Sequence, residues 1–156
     1  MKNYCKISLL TLSFILAGNV STNAQNYKLG GGVFIDFGNG ATAVGPHLKY
    51  FFNENISVQP AVLFVTGTTV AGADIQYNGN IPGTNGLSWN VGAGPQIWFG
   101  DGYSEVVLRP SIGLEYTIPQ VPLNFGFDWR PVLSFDQGTY FTAARFGVGF
   151  KYIFRK

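Results

Sequence analysis

A two-residue alternation runs through nearly the whole chain after residue 27, and it limits the fold more than any other feature. Successive side chains on a strand point to opposite faces, so a period of two marks one greasy and one polar face. Leu87, Trp89, Val91, Ala93, Pro95, Ile97 and Phe99 alternate with Ser88, Asn90, Gly92, Gly94, Gln96 and Trp98. The same pattern sets Val33, Ile35 and Phe37 against Gly32, Phe34 and Asp36, and Val44, Pro46, Leu48, Tyr50 and Phe52 against Gly45, His47, Lys49 and Phe51. Segments 56–66, 70–78, 105–118, 123–135 and 143–154 follow it too. Turn signals fall between them: Asn39-Gly40, Asn53-Glu54-Asn55, Gly67 to Thr69, Gly79 to Gly86, Gly100-Asp101-Gly102, Pro119 to Pro122 and Asp136-Gln137-Gly138.

The charges lie on the face that bears the glycines. Lys49, Arg109, Glu115, Asp128, Arg130, Arg145 and Lys151 all belong to it, while the bulky apolar face carries none in mid-strand. A soluble sandwich or barrel would bury its apolar face and turn its charges to water. Only 12% of residues are charged, against about 25% in a typical soluble domain. Small polar-face residues suit the narrow interior of a barrel, and bulky apolar ones suit lipid. These observations predict an all-β fold: a closed antiparallel up-and-down transmembrane β-barrel of about eight strands. Aromatics near strand ends, among them Tyr50, Trp89, Tyr116 and Phe154, fit interfacial girdles. Pro46, Pro60, Pro95, Pro110 and Pro131 interrupt would-be strands and are expected at bulges or near the rims.

The N-terminus reads as a targeting segment. Lys2 and Lys6 precede the apolar run Ile7 to Ala17, and Thr22-Asn23-Ala24 closes a small polar stretch. That order predicts a secretory signal peptide over residues 1–24 and a barrel domain over 25–156. The run is shorter than the roughly 20 residues a spanning helix needs. Cleavage would remove Cys5, the only cysteine, leaving no disulfide to support the fold. It would also remove two of ten basic residues against eight acidic ones, giving a net charge near zero. No basic patch interleaves with aromatics, so nucleic acid is not expected as a partner.

The segments Lys49-Tyr50-Phe51-Phe52-Asn53-Glu54, Leu87-Ser88-Trp89-Asn90-Val91-Gly92-Ala93-Gly94-Pro95, Gly113-Leu114-Glu115-Tyr116, Ile118-Pro119 leading through Leu123 to Asp128-Trp129-Arg130-Pro131, and Gly147 to Phe154 carry a family likeness. Through them the chain resembles the small eight-stranded outer-membrane β-barrel proteins of Gram-negative bacteria. The resemblance implies a place in the cell outer membrane, among lipid and lipopolysaccharide. It also implies delivery by periplasmic chaperones and insertion by the outer-membrane assembly machinery, which reads an aromatic-ended last strand. Here Arg155 and Lys156 follow Phe154, a departure from that signal.

Residues with chemical potential are few. His47, the single histidine, could be a general base or ligand, but inward orientation beside Lys49 makes it a lumen residue. A lipid A deacylase of this architecture would resemble a His-x-Ser arrangement, and His47-Leu48-Lys49 offers no serine. No converging set of metal ligands is apparent, and no cofactor is expected. Gly30-Gly31-Gly32 lacks the Lys-Ser/Thr end of a phosphate loop. The seven polar-face charges are expected to pair with one another and fill the lumen, since isolated buried charges are costly. On that reading Asp128→Ala lowers thermal stability. The expected function is a non-enzymatic structural or surface-interaction role. The alternatives are a narrow channel or small-solute transporter, a lipid-modifying enzyme, or a soluble barrel with its greasy face turned inward.

Overall fold

Asn39 and Gly40 both adopt positive φ, 50° and 76°. This is the two-residue type I′ turn whose twist matches that of the flanking strands, and the Asn-Gly pair tolerates it. It joins β1 (Leu29–Gly38) to β2 (Ala41–Phe51). At the other end the Asn53 side-chain carbonyl accepts from the backbone N–H of Asn55 and Ile56, at 2.9 and 2.8 Å, and turns the chain into β3 (Ile56–Val65). The hairpins continue through β4 (Thr68–Asn80), β5 (Leu87–Gly100) and β6 (Tyr103–Thr117). They end with β7 (Leu123–Trp129), β8 (Val132–Ser134), β9 (Tyr140–Thr142) and β10 (Phe146–Arg155). The computed structural model describes residues 27–135 and 138–155, so the expected signal segment 1–24 lies outside the described residues.

These ten segments make eight barrel strands. β6 faces both β7 and β8 in one unbroken register, Ile112 opposite Trp129 and Leu108 opposite Leu133. That register sets Pro110 opposite Pro131. Neither residue has an N–H, so no ladder bond forms there and one strand reads as two. On the next strand, Trp129 pairs with Phe146 while Val132 pairs with Thr142. Two residues therefore face three, a β-bulge at Ala143, Ala144 and Arg145. The Arg130 N–H still reaches the Arg145 carbonyl at 3.0 Å.

All pairings are antiparallel between sequence neighbours, and β1 pairs with β10 to close the ring. The fold is a closed eight-stranded antiparallel up-and-down β-barrel. Closure leaves no free sheet edge. The fourth strand is longer than its alternation indicated, 13 residues from Thr68 to Asn80. Pro46 and Pro60 depart from expectation, whereas Pro131 lies against the bulge at 143–145. Val44 faces Phe64, His47 faces Ala61 and Tyr50 faces Val58, so the register passes Pro46 and Pro60 without a bulge. Each lacks the N–H that a ladder bond needs.

Around the charged residues the interior packs to the limit of its width. A Cβ on Gly147 would strike the Phe34 ring and approach Arg130 Cδ to 2.9 Å. A Cβ on Gly113 would run into the Asp128 carboxylate. Glycine is required at these positions for space rather than for conformation. Gly147→Val is expected to abolish the folded, heat-modifiable form on cold gels, because overpacking forces the Phe34 and Arg130 side chains from their places. The outward neighbour substitution Val148→Ala should leave that form intact.

Candidate functional site

Inside the barrel the charged side chains form two storeys. The lower lies at the end where β1 begins and β10 finishes. Lys49 Nζ meets Glu115 Oε1 at 2.5 Å and donates to Asn78 Oδ1 at 2.7 Å, while Lys151 Nζ approaches the same Glu115 oxygen at 3.3 Å. The Tyr27 hydroxyl donates to Glu115 Oε2 at 3.2 Å, and its ring packs edge-on against Phe51 at 5.2 Å. Burial, reinforced by the Glu115 charge, pushes the Tyr27 phenol well above its ordinary value near 10.

The upper storey is built on arginine. Arg109 Nη2 donates to Asp36 Oδ2 at 2.7 Å and to the Arg130 carbonyl at 2.8 Å, and Nη1 donates to Gln96 Oε1 at 3.1 Å. Arg145 binds the other Asp36 oxygen and donates to the carbonyls of Gly38 and Ala41, at 2.7 and 3.1 Å. Arg130 binds Asp74 and lies over the Phe34 ring, 4.8 Å from its centroid. His47 is buried against the same ring at 5.1 Å. Among the described residues no group of His, Cys, Asp and Glu side chains is placed to hold a metal ion.

The seven charged residues singled out from the alternation are all buried within this interior. Their partners were only half foreseen. Asp36 and Asp74 complete the upper storey, although alternation had already put both on the polar face. The pairs span the lumen more than they join neighbours: Lys49 on β2 reaches Glu115 on β6, Asp36 on β1 reaches Arg109 on β6, and Asp74 on β4 reaches Arg130 after β7. Asp128 differs. It is enclosed beside Gly113 but takes part in none of the ion pairs, and its Oδ1 has no hydrogen-bond partner.

Above the arginines the inward positions turn apolar, and the barrel holds a cavity of about 360 Å³. Ala43, Leu63, Val70, Trp98, Val107 and Val132 wall it, and Asp36, Arg109 and Arg145 floor it. Near the loop end Ser134 donates to the Glu105 carboxylate, and Tyr140 and Asn39 line the mouth. The expectation of a lumen filled by side chains therefore describes the two storeys and not this upper third. A signal was present, since Leu63, Val70, Trp98 and Val107 occupy polar-face positions on four successive strands.

The fold and its interior define a class, the small closed β-barrels with charges inside and apolar residues outside. No protein-family model and no curated protein matches this chain.

Glu115 joins Lys49, Lys151 and Tyr27, so its loss strands two buried ammonium groups. Glu115→Ala is expected to cost about 3–5 kcal/mol, and Asp128→Ala clearly less, as measured by urea titration of the folded band. The Tyr27 shift carries a sign. The folded state keeps the phenol protonated where the unfolded chain ionises, so stability present below pH 10 declines as pH rises past that value. Wild type should lose more stability than Tyr27→Phe between pH 9 and 11, measured in the same titration.

Proposed function

We propose that the chain is an integral outer-membrane β-barrel protein with a structural, surface-presenting role. The observation that carries this reading is the outer surface of the barrel. Thirty large hydrophobic side chains among the described residues are exposed, Ile75 at 63%, Phe64 at 56% and Phe127 at 51% among them. Burying each is worth roughly 1.5–3 kcal/mol. Leaving such a belt in water would outweigh the net stability of a domain, about 5–15 kcal/mol. Among the described side chains the outward strand faces carry no charge. Lys28, Glu54 and Asp101 stand outside the strands, and Glu105 lines the cavity.

Strand length agrees. β1 to β6 run from 10 to 15 residues, and a tilted strand needs about 9–11 to cross the hydrocarbon. Tyr50, Phe52, Tyr152 and Phe154 cluster near the end where β1 begins and β10 finishes, where a headgroup belt would lie. The strands turn tightly at the opposite end. Gly38 already pairs with Ala41, Val65 with Thr68 and Gly100 with Tyr103. Such short connections favour a compact envelope component over a large adhesin. The two storeys of paired charges favour a closed lumen over a conducting one. In this reading the partners are lipid and lipopolysaccharide, with chaperones and the assembly machinery engaged during biogenesis, and the barrel performs no catalysis.

Membrane fractionation with gel mobility tests the assignment. The protein should sediment with outer membranes, resist carbonate extraction, and migrate faster unboiled than boiled. Soluble protein with identical mobility in both states would sink it. In planar bilayers the purified barrel should show no discrete conductance steps.

A further inference from the structure

We propose that the loop-end cavity is a binding site for a small, mostly apolar carboxylate, its acid group held at the arginine floor and its body against the walls. The cavity lies within the size range of small-molecule sites, which begins at about 300 Å³, and it combines apolar walls with a few polar groups as such sites do. Its walls come from six strands, with Ala43 on β2, Leu63 on β3, Val70 on β4, Trp98 on β5, Val107 on β6 and Val132 on β8. These are inward positions of the same kind that hold Gln, Asn or charged residues one storey lower. A barrel that needed only to be plugged would continue that polar packing to its end.

The floor selects the sign of the ligand. Arg109 and Arg145 share one carboxylate, Asp36, so this layer carries one cation more than it carries anions. Glu105 is the remaining acid of the lining. It sits four residues nearer the mouth than Arg109 on β6, about 13 Å along the strand and held by Ser134. Its carboxylate therefore belongs to the mouth, and the charges at the floor itself are those of Arg109, Arg145 and Asp36.

The hydrogen-bond ledger points the same way. Both Asp36 oxygens are engaged. In contrast, Nε of Arg109, Nε of Arg145 and Nε1 of Trp98 are buried donors without a partner. Among the residues that line the cavity every buried polar atom left without a partner is a donor, while the unpaired acceptor Asp74 Oδ1 lies outside the lining. Buried donors are ordinarily satisfied. A carboxylate supplies acceptors and balances the extra guanidinium in a single group, in the geometry that arginine recognises best.

Isothermal calorimetry on the folded protein in a neutral detergent tests this with 2-naphthoate, 2-naphthamide and 2-naphthylmethylammonium. Naphthoate should bind saturably at one per chain. The amide should bind about tenfold or more weakly, the loss expected when a charge-assisted contact is replaced, and the ammonium should not bind. Ala43→Leu fills the cavity without touching its charges and should abolish the naphthoate signal while retaining heat-modifiable mobility. Should that variant fail to fold, Val107→Phe makes the same test from another strand. Absence of saturable naphthoate binding would overturn the proposal, as would undiminished binding to a folded, cavity-filled variant. Equal affinity for the amide or the ammonium would overturn the role given to the arginine floor.

Discussion

The interior of an eight-stranded barrel is just wide enough for side chains, and the remaining features of this molecule follow from that narrowness. Any charge placed inside is within reach of the opposite wall. Lys49 on β2 touches Glu115 on β6, and Asp36 on β1 touches Arg109 on β6, because the lumen is one side chain across. The same narrowness explains why Gly113 and Gly147 face Asp128 and the Phe34–Arg130 pair. Each large side chain needs an inward neighbour with almost no volume.

Closure and charge placement support each other. Pairing β1 with β10 removes the last free edge, and the enclosed charges then have no solvent to fall back on. They must satisfy one another, and most do. Asp128 is the exception, buried but outside the ion pairs. The backbone tolerates local defects within this frame. The Pro110–Pro131 gap and the bulge at 143–145 fall side by side, and the bulge brings Arg145 to the carbonyls of Gly38 and Ala41. A defect in one ladder thus positions a guanidinium that ties down the β1–β2 turn.

Much of this was legible in the residues. Alternation assigned Val33, Ile75, Phe127 and Phe150 outward and Asp36, Asp74 and Arg130 inward, and these are the faces they occupy. The assignment works because inversion of one residue exchanges the two faces completely, so a consistent pattern over eight segments leaves little freedom. The partners were not legible. Asp36 and Asp74 were on the right face yet absent from the expected network, since Arg109 and Arg130, which they bind, lie three strands away around the ring. The cavity was missed for a related reason. Leu63, Val70, Trp98 and Val107 each look like a single apolar lapse on a polar face, and only the barrel puts them at one height.

By itself, then, the chain determined its period, its turns and which face would bear charge, because those depend on residues a few positions apart. The tertiary structure alone decided which acid meets which base, where the lumen is packed and where it opens into a cavity. Those depend on the stagger with which the strands close into a ring. Stagger sets the height of each inward residue, and height is a property that no single strand possesses.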